Sequence, residues 1–388
     1  MERKAAIVSA VRTPVGKAGG ALASVPPHVL GGCAIREAVR RAAVEKERID
    51  EVVFGNTMAH DTNNIARVSA LWAGLPVSVP GLTVDIQCGS GLNAIAYGAM
   101  LIETGAADIV VTGGVESDSN RPFLQSRPEK AYSFTPPRFL NPLTTPPEMG
   151  NPTMGETAEN IAERYGISRE DCDAFALESH RRAAAAWREG RFDEQIVPIE
   201  VKTKTGPQLV SRDETVRFDC SLEGLARLKP AFRKDGVVTA GGSSPTSDGG
   251  GAVVLMESSL ARREGKEILA EVGAFAVAGV DPLIMGTGPI AAVRKLLRRT
   301  GTRLEDYDLI ELNEAFAAQS LCCIRELGMD PEKVNVNGGA LALGHPLGGT
   351  GAILTAKMVY ELRRRNAHKG LITFCCGGGE GVALQIER

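Results

Sequence analysis

A chain of 388 residues and 41.0 kDa is too long for one simple core and needs two or three packed units, since single cores stop growing at about 250 to 300 residues. Hydrophobic residues make up 43% and charged residues 23%, the balance of a globular chain and not of a disordered one. A net charge of -3 offers no basic field, so nucleic acid is excluded as a partner class.

No apolar run approaches the ~18 residues that would cross a bilayer, so no membrane span is expected. The first strand-like run starts at Ala5, close enough to the start to leave no room for a leader segment, and a cytoplasmic home is the expectation. Eight cysteines without a C-x-x-C spacing point to reduced thiols, with neither a disulfide framework nor a metal site.

In chain order, KAAIVSAV, DEVVFGN, LTVDIQ and ADIVVTGGVES read as strands, and GGCAIREAVRRAAVE, NIARVSALWAG and GLNAIAYGAMLIETG between them as helices. This alternation predicts a mostly parallel sheet with helices on both faces over residues 1–118. From Ser119 to Thr153 periodicity stops and eight prolines accumulate, which predicts a long loop excursion. Helices resume after it, with Ser168 and Asp171 spaced as a capping box. The 119–246 stretch therefore reads as a loop or lid domain. SDGGGAVVLMES marks a return to the first half over 247–267.

Residues 268–388 repeat the rhythm: strand ILAEVGAFAV, helix PIAAVRKLLRRTG, strand DLIELN, helix AFAAQSLCCIREL, VNVNGG read as a strand, helix AILTAKMVYELRRR and strand GLITFCC. Residues 85–114 and 335–379 each run strand, Gly-rich turn, helix, strand and glycines, so the two halves read as an internal duplication.

Four turns carry residues suited to chemistry. Cys88 stands in DIQCGSGLNAI at the amino end of a helix, where unpaired N–H groups and the macrodipole are expected to favour a thiolate. A buried structural cysteine is the plainer alternative. His345 lies among the six glycines of NGGALALGHPLGGTG, a setting with little to pack against, and reads as a neutral base or donor. FCCGGGEG offers a second thiol and free backbone N–H groups, or simply a strand end. In ELNEAFAAQ the Asn-Glu pair is either a helix cap or the holder of a water or partner. All four sit at strand ends, where open α/β folds place ligands.

Taken together, IVSAVRTPVGK, CGSGL, VVTGGVES, MGETAEN, LKPAFRKDGVVTAG, NEAFA, GHPLGGTGA and CCGGGEG resemble the thiolase family over essentially the whole chain. The resemblance implies a duplicated five-layered α-β-α-β-α fold of mixed, mostly parallel sheets with an inserted loop domain. It implies cleavage of 3-ketoacyl-CoA by CoA, or the reverse condensation, through an acyl-cysteine. Cys88 matches the nucleophile, Cys375 the acid/base thiol, His345 and Asn313 the remaining site groups, and Gly377 a backbone donor. Phe232 and Ser244 match pantetheine contacts and Arg217 an adenine contact, with Met154 and Phe316 beside the CoA path. CoA and acyl-CoA are implied as substrates, with no permanently bound cofactor and no metal, in a homodimer or homotetramer.

Several positions depart from the family pattern. Asp85 replaces the usual Asn before the cysteine, Gly242 and Pro245 alter the CoA loop, Thr153 stands where short-chain biosynthetic members carry histidine, and Cys376 replaces an apolar residue. Two other readings share the scaffold: a ketoacyl-synthase-like condensing enzyme, against which NEAFA and Cys375 stand, and a lipid or acyl-CoA binding protein that has lost catalysis.

Overall fold

The computed structural model describes residues 3–128, 130–132 and 135–388. The first half runs β1 (Ala5–Arg12), α1 (Pro27–Ala42), β2 (Glu51–Gly55), α2 (Ile65–Trp72), β3 (Gly81–Val84), α3 (Ser90–Glu103) and β4 (Ile109–Ser117). The chain then leaves the sheet, forms α4 (Met154–Tyr165) and α5 (Arg169–Arg188), and returns as β5 (Ser247–Glu257). The second half is β6 (Ala270–Gly279), α6 (Gly288–Thr300), β7 (Leu309–Leu312), α7 (Ala317–Leu327), α8 (Thr350–Arg365), β8 (Lys369–Cys376) and β9 (Glu380–Glu387).

Strand order in the first half is β1-β5-β4-β2-β3. β5 lies antiparallel between β1 and β4 while β4, β2 and β3 pair in parallel, so four strands share a direction and only β5 is reversed. The second half repeats this as β6-β9-β8-β7, with β9 the reversed strand. β1 and β6, equivalent in the two halves, pair antiparallel through Ala6 with Glu271 and Ile7 with Ala270, as a two-fold relation between halves requires.

VNVNGG is not a strand. Val334 makes one parallel bridge to Ile310, and Asn335 turns to φ 47. The Asn335 side chain accepts from Leu312 N at 2.9 Å and donates to Leu312 O at 2.8 Å, so an amide on a side chain takes over the ladder bonds that a further strand residue would make.

Burial explains the layering. β1, β4 and β5 are buried along their whole length, as strands covered on both faces must be, and they read as mostly apolar or glycine runs with polar residues concentrated toward their ends. One apolar cluster packs α1 and α2 on the outer face of the first sheet. A second fills the space between the sheets around α3 and α8, and a third packs α6 and α7 on the far face. Three cores between five layers result.

The insertion is fastened at defined points. Thr153 with Glu156 and Ser168 with Asp171 form capping boxes that start α4 and α5. Arg12 of β1, wholly buried, makes a two-point ion pair with Asp213 at 2.8 and 3.0 Å, joining the insertion to the sheet. The proline-rich part of the excursion forms only a small ladder, Leu124–Gln125 against Phe139–Leu140, with Phe123 and Phe139 exposed. Parts of this excursion, residues 129, 133 and 134, lie outside the described residues.

Candidate active site

Each half contributes a turn between a strand end and a central helix. Cys88 lies between β3 and α3, where Gln87 adopts φ 52 and Ser90 Oγ clamps the turn by donating to Gln87 O at 2.6 Å and accepting from Ile86 N at 2.9 Å. The backbone N–H groups of Gly377 and of Cys88 itself point at the sulfur and favour its anion. Burial, helped by the carboxylates of Glu116 and Asp85, outweighs them and pushes the thiol up to about 12. The thiolate expected from the helix end alone is thus corrected to a resting thiol, because burial, which arises only in three dimensions, outweighs the two N–H groups.

His345 comes from the second half, ahead of α8. Contrary to the expectation of a loosely packed turn, it is 6% exposed, since the glycines around it let backbones close over the ring. Its Nδ1 lies 2.7 Å from Thr350 Oγ1, which in turn donates to Pro346 O at 3.1 Å. With the hydroxyl proton committed to Pro346, Nδ1 carries the ring proton and Nε2 is left as acceptor. Burial lowers the imidazole to about 4, so it is neutral at pH 7 and available as a base.

Asn313 follows β7 and is held by its N–H donating to Thr373 O at 3.0 Å. Its Nδ2 is 3.3 Å from His345 Nε2, and its buried Oδ1 has no partner within the described protein. The Asn-Glu pair is no cap, because α7 starts only at Ala317, after Phe316. Glu314 instead takes bonds from Ser179 Oγ at 2.6 Å and Asn335 Nδ2 at 2.8 Å, which fixes the segment bearing Asn313.

Cys375 and Cys376 point to opposite sides of β8, as successive strand residues do. Cys375 packs with Met285, Ala315 and Phe316, three residues that line the cleft over Cys88. Burial pushes its thiol well up, with a further push from Cys88; Cys376 is raised by the same two causes, so what sets Cys375 apart is its packing against the cleft residues. Cys376 belongs to the central core under Gly89, where an added Cβ would come within 2.7 Å of its sulfur.

The cleft holds about 190 Å³, and Cys88, His345, Ser244, Met154 and Phe316 line it. Ser244 is anchored by its N–H donating to Ala315 O at 3.0 Å. Phe232 stacks edge-on against Phe316 with ring centroids 6.0 Å apart, so it borders the cleft without lining it. Gly377 faces Gln87 and Met154. Arg217 stands apart: its side chain is exposed and outside the lining, and its N–H donates to His180 Nδ1 at 3.2 Å.

Sequence reasoning passed over Glu116, Thr350 and Arg121. Glu116 sits buried in the cleft wall, accepting from Asn56 Nδ2 at 2.8 Å, Thr57 N at 3.0 Å, Met58 N at 3.1 Å and Gly348 N at 3.1 Å. Burial raises its carboxyl to about 7 against those four donors. A lone acid at the end of an apolar, glycine-bearing strand was the available signal.

Residues 5–259 match the thiolase N-terminal domain family and residues 266–388 the thiolase C-terminal domain family. Acetyl-CoA acetyltransferase of Pseudomonas aeruginosa is 45% identical over 387 residues, covering 98% of each chain. The 3-oxoadipyl-CoA/3-oxo-5,6-dehydrosuberyl-CoA thiolase of Escherichia coli is 44% identical over 100% of both. The crystal structure of the Bacillus anthracis acetyl-CoA acetyltransferase superposes with a TM-score of 0.94 at 45% identity, over 100% of this chain and 99% of that one. With both family domains matched end to end and this fold shared, the chain belongs to the thiolase family of CoA-dependent acyltransferases.

Proposed function

We propose that this thiolase cleaves 3-ketoacyl-CoA with Cys88 as nucleophile, His345 as its base and Cys375 as the second acid/base, and that CoA accepts the acyl group. The observation that carries the reading is the neutral imidazole of His345, Nε2 unprotonated, sharing one cleft with a protonated Cys88. A thiol near 12 and an imidazole near 4 do not rest as an ion pair. The proton passes to Nε2 only as sulfur bonds to the C3 carbonyl of the substrate.

Charge then develops in sequence. As the C2–C3 bond breaks, the electron pair stays on C2 and negative charge spreads onto the thioester oxygen of the departing acetyl-CoA. Protonated His345 and a water on the unpaired Oδ1 of Asn313 stabilise that oxygen, and the Cys375 thiol gives C2 its proton. The acyl group stays on Cys88, its oxygen facing the N–H groups of Cys88 and Gly377, the same two that already point at the sulfur. The Cys375 thiolate removes the proton of incoming CoA, whose sulfur displaces Cys88. His345 returns the proton to Cys88, and every group ends as it began.

Pantetheine passes Ser244, Met154 and Phe316, with Phe232 at the rim, and Arg217 on the surface serves the adenine end. Thr153 caps α4 in the place of a histidine, and acyl groups larger than acetyl fit this reading best. Brief exposure to a 3-ketoacyl-CoA and intact-mass measurement provide the test. An acyl adduct on Cys88 is expected in wild type and in Cys375→Ser, with turnover lost in the latter. Absence of any adduct would leave an acyl-CoA binding protein without catalysis, and full turnover in Cys375→Ser would move the proton role elsewhere.

A further inference from the structure

The wall of the cleft is largely apolar where Met154, Met285, Phe316 and Leu347 face it, yet one cation reaches the same space. Arg121 is the only lysine or arginine among the described residues that line the cleft, and His345, which shares that lining, is neutral. Its Nη1 meets Asp118 at 3.5 Å, with the two side chains 49% and 22% exposed. That is a loose single contact, unlike the two-point pair of Arg12 with Asp213 at 2.8 and 3.0 Å. A guanidinium carries a planar fork of five N–H donors, so an edge of Arg121 remains open to a planar anion.

The turn that presents Arg121 is fixed. Asp248 Oδ1 accepts from Ser117 Oγ and from Ser119 N, both at 2.9 Å. Asn120 Nδ2 donates to Ala23 O at 3.1 Å, Val25 O at 3.2 Å and Ser117 Oγ at 2.8 Å. The backbone just before Arg121 is therefore tied to two other segments, the support that a recognition side chain needs. A hydrocarbon tail filling this cleft would strip water from the guanidinium and give nothing back; a carboxylate would replace that water with two charge-assisted bonds.

Resting on the thiolase reading of the same cleft, we propose that Arg121 receives a carboxylate at the far end of the acyl group, making the substrate class 3-oxoacyl-CoA thioesters of dicarboxylic acids. Asp118 orients the guanidinium and balances its charge when no substrate is bound.

Thiolysis of 3-oxoadipyl-CoA and of 3-oxohexanoyl-CoA by the full chain tests this, since the two acyl chains share a length and differ in a terminal charge. The wild type should favour the acid at least tenfold in kcat/KM. Arg121→Gln should cut that preference at least tenfold, chiefly through the KM of the acid, and Arg121→Lys should restore part of it. No preference in wild type, or an equal loss on both thioesters in Arg121→Gln, overturns the assignment. A rise in the KM of CoA alone would place Arg121 on a CoA phosphate and also overturn it. If neither thioester is cleaved, the thiolase reading of the cleft fails with it; cleavage of both without preference removes only the role of Arg121.

Discussion

At the residue scale the decisive feature is a thiol that its surroundings hold protonated. Two N–H donors favour the anion of Cys88, but burial beside Glu116 and Asp85 prevails and carries it to about 12. Because the shift is upward, the thiolate fraction should grow about tenfold per pH unit from neutrality and stay short of saturation at pH 10. Alkylation of Cys88 by iodoacetamide, followed by peptide mass mapping, should therefore rise with unit slope in log rate from pH 7 to 10. A plateau below pH 8 would show a thiolate already formed and return the helix end to the leading role. The positions of the candidate site residues were legible at strand ends, but structural roles competed with chemistry there, and the resemblance to the thiolase family chose between them. Their protonation was not legible, since it depends first on burial and then on Glu116 and Thr350, which approach only through the fold. Arg121 escaped notice for a related reason: it lies in a stretch without periodicity, where one arginine looks like any solvated charge.

At the scale of elements, the apolar runs that became β1, β4 and β5 were readable because burial on both faces favours long stretches of small and apolar residues. VNVNGG carried the same signal and misled, as the Asn335 side chain took the place of a strand. Nothing in the sequence announced how the insertion is held down either, since its main anchor joins Arg12 to Asp213, 201 residues away. Arg12 also donates from Nε to Gln195 Oε1 at 2.7 Å, and Asp213 accepts from Val15 N at 2.9 Å, so both charges are satisfied within the protein. Removing one partner strands the other in the interior, which typically costs about 3–5 kcal/mol. Asp213→Asn should lower the unfolding free energy read from urea titration by an amount of that order, with a lower midpoint. By contrast Glu223→Gln, which removes the partner of exposed Arg227, should leave the midpoint in place. Equal midpoints for the two variants would show that the anchor is not needed.

For the molecule as a whole, the duplication read from sequence has a mechanical meaning: each half brings a helix start to the centre, and the two starts interlock. An added Cβ on Gly351 would lie 2.0 Å from Leu92 N, and one on Gly91 would lie 2.4 Å from Gly348 O, so α3 and α8 approach at a distance only glycine permits. Cys88 precedes one of these contacts and His345 the other. The closeness of the helices therefore sets the reach between sulfur and imidazole, and the two halves act as a single site. Gly351→Ala separates this account from helix propensity, because the two give opposite signs. Inside a helix, glycine to alanine normally stabilises by about 1 kcal/mol. Here the methyl group must push backbone against backbone, and overpacking of this kind costs about 1–3 kcal/mol. The variant should melt earlier, and a displacement on the order of 1 Å between the halves should lower kcat about 100-fold even in the fraction that folds. Calorimetry with active-site titration of Cys88 reads both effects. A variant as stable and as fast as wild type would mean that the sulfur and the imidazole keep their distance by some means other than the meeting of the two central helices.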